Sequence, residues 1–252
     1  MFTDTTKDFR LINVCLTYYN QGKALQKHIE SWQTYPDEVL KHLRFVIIDD
    51  GSREDPALVN IHDTYGHAPS KALNIEIYKI REDIPWNIGG ARNLAFAVSK
   101  GKWLFQLDMD TILPKESAIE LVSFAQNTAK ENIIYKFRQN HIDEQSQDDT
   151  HPGLMFLTKE TFWLTGGHDE DFCGSYGGTD VHIYYKFEEV IEGYKYEENV
   201  EVYEKVRVLR LPIGEVNGLE RNPMKNMALC DERRALKNWS KGILRFHWDK
   251  VL

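Results

Sequence analysis

Apolar and polar positions alternate in blocks along the first half of the chain. Residues 11–17 (LINVCLT) form a short, branched apolar run of the kind that makes a strand buried on both faces. A polar turn follows, and Ala24, Leu25, His28 and Trp32 then recur at helical spacing. Residues 44–48 (RFVII) predict a second buried strand, halted by Asp49, Asp50, Gly51 and Ser52. Asp55 and Pro56 predict a helix cap and first helical position. The pattern then repeats: a strand over 74–80, a helix over 88–99 entered through Gly89 and Gly90, a strand over 103–107 and a helix over 114–126. Such alternation predicts an α/β fold with a mostly parallel twisted sheet flanked by helices.

The second half is less regular. Residues 140–152 (NHIDEQSQDDTHP) are polar and acidic and read as a mobile loop. A strand is expected over 153–157, a short helix or turn over 161–167, and a helix over 179–191 behind Gly177 and Gly178. Residues 195–211 predict one or two strands, and 223–239 a helix capped by Asn222. No repeat and no linker divides the chain.

Length and composition narrow the class. A chain of 252 residues with 42% hydrophobic content suits one globular α/β domain. The net charge of -8 and the lack of a basic run argue against a nucleic-acid footprint. Cys15, Cys173 and Cys230 lie far apart, without zinc or disulfide spacing, which suits a reducing compartment. The polar start lacks a signal-peptide core, and no run reaches the ~20 apolar residues of a transmembrane segment. The expected location is the cytoplasm, that of an infected host included.

In open α/β sheets ligands bind beyond the carboxyl ends of the strands. Polar clusters fall at three such ends: 17–20, 49–52 and 108–110. Asp108 and Asp110 follow an apolar strand and flank Met109, so in extended chain both carboxylates face one side. Hard oxygen ligands of this kind suit Mn2+ or Mg2+ shared with substrate phosphates. The plain alternative is that Asp110 or Thr111 caps the next helix.

Taken together, TYYN (17–20), VIIDDGS (46–52), GGARN (89–93), FQLDMD (105–110), GGHDEDF (166–172) and GGTDV (177–181) resemble, in that order, the motifs of family 2 glycosyltransferases and their GT-A-fold relatives, galactosyltransferase-like enzymes included. The resemblance spans roughly residues 10–192. It implies a single GT-A domain over 1–252, with a nucleotide-binding half near 10–126, an acceptor half near 127–220 and a C-terminal helix and tail over 221–252. It further implies a metal-dependent transfer of a sugar from a UDP-sugar to an acceptor hydroxyl.

The resemblance also implies roles. Thr17, Tyr19 and Asn20 would line the nucleotide pocket, and Asp49 or Asp50, with Gly51 and Ser52, would meet the base or ribose. Arg92, beside Asn93, would grip a base oxygen or a phosphate. Gly89 and Gly90 open a helix whose amides would face an anion, or form a plain turn. Asp110 would be the main metal ligand, with Asp108 on the ribose or a metal-bound water. Asp180 would be the base of an inverting transfer, or simply an acidic helix start. The family usually has Glu where this chain has Thr179, which puts the acceptor in doubt. His247 is the expected third metal ligand, with His151 and His182 as rivals. Trp86, Gly167, His168, Asp169, Glu170 and Thr179 would meet sugar or acceptor. The donor sugar, the acceptor and the choice between inversion and retention stay open.

Three other classes compete. FQLDMDT also fits the opening motif of haloacid-dehalogenase-like phosphatases, although three strand–helix units precede it and no later acidic pair follows. A non-catalytic nucleotide-sugar-binding protein would have no need of Asp180. A nucleotidyltransferase would need a Gly-rich basic loop that residues 18–23 lack.

Overall fold

The computed structural model describes residues 11–65, 73–141, 149–212, 219–240 and 242–252. Its first half runs β1 (Ile12–Tyr18), α1 (Gly22–Gln33), α2 (Asp37–Leu40), β2 (Leu43–Asp49), α3 (Ala57–Tyr65), β3 (Ile75–Ile80), α4 (Ile88–Val98), β4 (Trp103–Leu107), β5 (Thr111–Ile112) and α5 (Lys115–Asn127). The second half adds β6 (Ile134–His141), β7 (Asp149–Thr150), β8 (Met155–Thr158), α6 (Lys159–Leu164), a 3-10 turn (Glu170–Phe172), α7 (Thr179–Val190), α8 (Tyr196–Asn199), β9 (Val200–Arg210), α9 (Met224–Leu236) and β10 (Trp248–Lys250).

One sheet runs through both halves in the order β10-β3-β2-β1-β4-β8-β6-β9-β5, with β7 on β6. The β3-β2-β1-β4 core is parallel, as is β6–β9. Antiparallel β8 joins the two parts by pairing with both β4 and β6. Most paired residues lie in parallel ladders, as the strand–helix alternation predicts.

The period-2 rule for strands explains how both faces are filled. Val14 and Leu16 of β1, Phe45 and Ile47 of β2, and Trp103 and Phe105 of β4 face one layer, packed on Leu25, Ile29 and Trp32 of α1 and Leu121 of α5. Cys15, Val46, Ile48 and Leu104 face the other, packed on Leu94 and Phe96 of α4 and Ile183 and Phe187 of α7. Trp32 stacks on Phe45 with ring centroids 3.9 Å apart. Burying a ring of that size contributes roughly 1.5–3 kcal/mol.

The second half departs from expectation in four places. Residues 134–141 form β6, which the polar and basic positions of IYKFRQNH disguise. Part of the expected 140–152 loop is strand, namely the end of β6 and β7; residues 142–148 lie outside the described part. The expected 195–211 strand region forms one long strand over 200–210, as predicted, whereas β10 adds an unexpected edge strand antiparallel to β3. Helix α9 stops at Leu236 because Lys237 takes a left-handed backbone, φ 48°. Among the described residues no helix is long and apolar enough to cross a membrane.

Candidate active site

Strand register brings the polar clusters to one edge. Tyr18 pairs with Asp49, and Leu16 with Leu107, so the chain leaves β1, β2 and β4 side by side. Antiparallel β8 starts where β4 ends, because Met155 pairs with Gln106. The turn before β8 therefore arrives beside Asp108, fastened by Gln106 Nε2 donating to the Gly153 carbonyl at 2.7 Å. On the other flank Thr111 pairs with Arg210, and the Leu211 amide donates to Asp110 O at 2.7 Å.

The edge opens into a cleft of about 220 Å³. Thr17, Tyr19, Asp50, Trp86, Arg92, Asp108, Asp110, Thr179 and Asp180, all expected from the sequence, line it. At its centre the buried Arg92 donates to Asp108 Oδ1 at 2.8 Å and pairs through its other terminal nitrogen with Asp180. Burial alone would raise the Asp108 carboxyl, but Arg92 and His151 together outweigh burial and hold it below its usual range. Asp110 goes the other way, raised by burial and then by the charge of Asp108, with Arg210 opposing. Two neighbouring carboxylates, one short of compensating charge, are hard oxygen donors of the type that suits a divalent cation.

His151 stands beside this pair. Its Nδ1 accepts the Gly153 amide at 3.1 Å and lies 3.4 Å from Asp108 Oδ2. Burial would lower the His151 pKa, but the hydrogen bond and charge of Asp108 beside it raise it above its usual value. Gly153 makes room for this approach, because a Cβ there would come within 2.7 Å of Asp108 Oδ2, 2.9 Å of His151 Nδ1 and 3.1 Å of Arg92 Nη2. Among the described residues no group of three or more His, Cys, Asp or Glu side chains is placed to hold a metal ion; Asp108 and Asp110 are two carboxylates of the kind that suits Mn2+ or Mg2+.

A family model, "Glycosyl transferase family 2", matches residues 13–188, more than half of the chain. The chain belongs to glycosyl transferase family 2. It is a glycosyltransferase, and the phosphatase reading of Asp108 and Asp110 falls with that membership. No curated protein sequence matches. Among solved structures, S. aureus TarS 1–349 in complex with UDP-GlcNAc is similar at TM-score 0.66 and 12% identity, over 92% of this chain and 68% of that one. A longer S. aureus TarS chain gives TM-score 0.62 at 14% identity, over 90% of this chain and 41% of that one. GalNAc-T7 with UDP, GalNAc and Mn2+ gives TM-score 0.62 at 15% identity, over 90% and 48%. The chain thus spans less than half of the two longer proteins. The shared fold is GT-A.

In this family 2 member several expected site residues serve the frame instead. Asp49 accepts from the amides of Ser52 and Ala57, both at 2.9 Å, so only Asp50 of the pair lines the cleft. The Asn20 amide donates to Ser52 Oγ at 2.9 Å, and Gly51, at φ 78°, passes so close to Glu82 that a Cβ would lie 2.6 Å from its carbonyl. Gly89 and Gly90 sit inside α4, and a Cβ on Gly89 would press on Thr179 and His168; tight packing accounts for them.

The GGHDEDF element turns its back on the cleft. Asn93 exchanges hydrogen bonds with the main chain of His168 and donates to Glu170 at 2.9 Å. A Cβ on Gly167 would lie 2.6 Å from Asn93 Oδ1. His168 is buried, which holds its ring neutral, with Nε2 3.3 Å from Gln106 Oε1. Asp169 faces Arg233 and the Ser240 amide, and Glu170 accepts from the amides of Leu244 and Arg245. The element is a clip for the C-terminal segment. Of the expected histidines, His247 pairs with Glu82 at 2.6 Å in the open, away from the cleft, and His182 is buried between Phe172 and Trp239.

Gln139, Tyr176, Arg210 and Arg221 also line the cleft and were not expected. No motif marks them. Gln139 stands on β6, which the sequence pattern hides, and Arg210 at the end of β9.

Proposed function

We propose that the protein transfers a sugar from a UDP-sugar to an acceptor hydroxyl, with Mn2+ or Mg2+ held by Asp108 and Asp110 beside His151. The observation that carries this is a single cleft lined by Asp50, the Asp108–Asp110 pair and Asp180, in which Arg92 joins Asp108 to Asp180. Asp50 and Tyr19 recognise the base end of the donor. The cation, when bound, neutralises the departing diphosphate.

Asp180 stands in the first turn of α7, on the far side of Arg92 from Asp108. There it takes the proton of the acceptor hydroxyl. The acceptor oxygen forms a bond to the anomeric carbon as the bond to the UDP oxygen breaks. One displacement with one base inverts the anomeric centre. Arg92 links the two ends, paired with both Asp108 and Asp180. The three unpaired cysteines fit a reducing cytoplasm as the place of action.

A thermal-shift series tests the reading, since ligands that bind only the folded state raise Tm by mass action. UDP with Mn2+ is expected to raise Tm, and UDP with EDTA to do so far less. A folded sample that no nucleotide stabilises would overturn the proposal.

A further inference from the structure

Beyond Asp180 the outer wall of the cleft is built from three stretches of chain. Trp86 stands before α4, Tyr176 on the loop into α7, and Arg221 shortly before α9; all three line the cleft. The Trp86 and Tyr176 rings meet edge to face with centroids 4.7 Å apart, and the Arg221 guanidinium lies 6.0 Å from the Tyr176 centroid. Hydrogen bonds tie the stretches together. Trp86 Nε1 donates to the Glu220 carbonyl at 2.9 Å, and the Gly174 amide to the Pro85 carbonyl at 2.8 Å. From α9 the buried Asn226 sends Nδ2 to the carbonyls of Phe172, Ser175 and Gly177 at 2.9, 2.7 and 2.8 Å.

Two features of this wall point to a ligand. Trp86 holds φ at 51°, a left-handed backbone that bulky residues seldom adopt and that concentrates at functional sites. The exposed Arg221 has no ion pair among the described residues, whereas Arg92 engages two carboxylates and Arg210 faces Asp110. In a chain of net charge -8, a guanidinium left open at a cleft mouth is a local attractor for an anion.

Position identifies which substrate the wall meets. Tyr176 lies four residues before Asp180, on the loop that delivers the base, and the molecule that gives its proton to a base is the acceptor. We propose that Trp86, Tyr176 and Arg221 form the acceptor subsite, and that the acceptor is a hydroxyl-rich molecule bearing a phosphate or carboxylate. Its apolar ring face packs on the two aromatic rings while its anion pairs with Arg221. The inference rests on the assignment of Asp180 as base in a glycosyl transfer.

Calorimetric titration of the full chain with UDP and Mn2+ present tests it, using glucose 6-phosphate, glucuronate, glucose and inorganic phosphate as probes. At least one charged sugar is expected to bind tenfold or more tighter than both glucose and inorganic phosphate. The two charged sugars separate phosphate from carboxylate recognition. Arg221→Ala is expected to erase that tenfold preference, and Arg221→Lys to keep part of it, with UDP affinity unchanged in both. Equal binding of charged and neutral sugars would overturn the proposal. So would a chain that binds UDP but none of the probes, or an Arg221→Ala variant that loses UDP as fast as it loses sugar. A parent chain that fails to bind UDP would instead sink the underlying glycosyltransferase chemistry, a different and recognisable result.

Discussion

Arg92 holds Asp180 in a direct ion pair while its other terminal nitrogen donates to Asp108 at 2.8 Å. One buried guanidinium therefore couples the proposed metal end of the site to the proposed base. Removing one partner of a buried charge cluster leaves the others uncompensated, at a cost of roughly 3–5 kcal/mol. Arg92→Ala is expected to lower stability in urea denaturation by about that much and to abolish UDP binding. Wild-type stability in this variant would show that the two carboxylates do not depend on Arg92.

Asp180 and Asp110 separate binding from chemistry. Asp180→Asn is expected to keep the UDP-dependent rise in Tm and to lose sugar transfer by ~10²–10⁴-fold, the usual worth of a positioned base. Asp110→Asn is expected to lose the Mn2+-dependent part of UDP binding. Transfer at the parent rate in Asp180→Asn would remove it from the mechanism and leave a retaining or base-free route.

His151 and His247 make opposite predictions. His151 lies 3.4 Å from Asp108, whereas His247 pairs with the exposed Glu82. His151→Ala is expected to weaken Mn2+ binding tenfold or more, read by Mn2+ titration with UDP present, and His247→Ala to leave it unchanged. The reverse pattern would return the third ligand to His247.

Gly153→Ala adds one methyl group where Asp108, His151 and Arg92 converge. Overpacking of this kind costs about 1–3 kcal/mol. The added atom is expected to push the three side chains apart and to cut Mn2+-dependent UDP binding well beyond the loss of stability. Unimpaired binding would mean that the turn yields freely.

Asp50 links stability to pH. Burial pushes its carboxyl up to about 7, with Asp49 and Asp83 adding and the Asn87 hydrogen bond opposing. A folded-state value above the unfolded one favours the protonated form. Its stabilisation is full below pH ~4, falls as pH rises toward 7, and is flat above. Asp50→Asn can still meet Asn87 and is expected to be more stable than the parent at pH 8, by roughly 2–4 kcal/mol. The two should converge at pH 4. Parallel stability–pH curves would show that Asp50 is ionised throughout.

The sequence by itself determined the parallel core and the strand ends that carry chemistry. Residues 11–17, 44–48 and 103–107 are apolar on both faces, so they must be central strands, and polar residues after them must lie at the carboxyl edge. That reasoning is local and needs only the periodicity of strands. It placed Asp108, Asp110 and Asp50 on the cleft, and motif order placed Asp180 there.

Only the tertiary structure decided which member of each motif faces the ligand. Asp49 and Asp50 are neighbours in sequence, yet one is consumed by two amides and the other lines the cleft. Asp169 and Glu170 look like acceptor ligands until α9, Ser240, Leu244 and Arg245 fold onto them and supply their hydrogen-bond donors. His151 and Arg210 reach the Asp108–Asp110 pair through the β4–β8 and β5–β9 pairings. These contacts span more than forty residues, and neither histidine nor arginine carries a local mark of its partner. Side-chain period tells which way a residue points. What it meets there depends on strands and helices far along the chain.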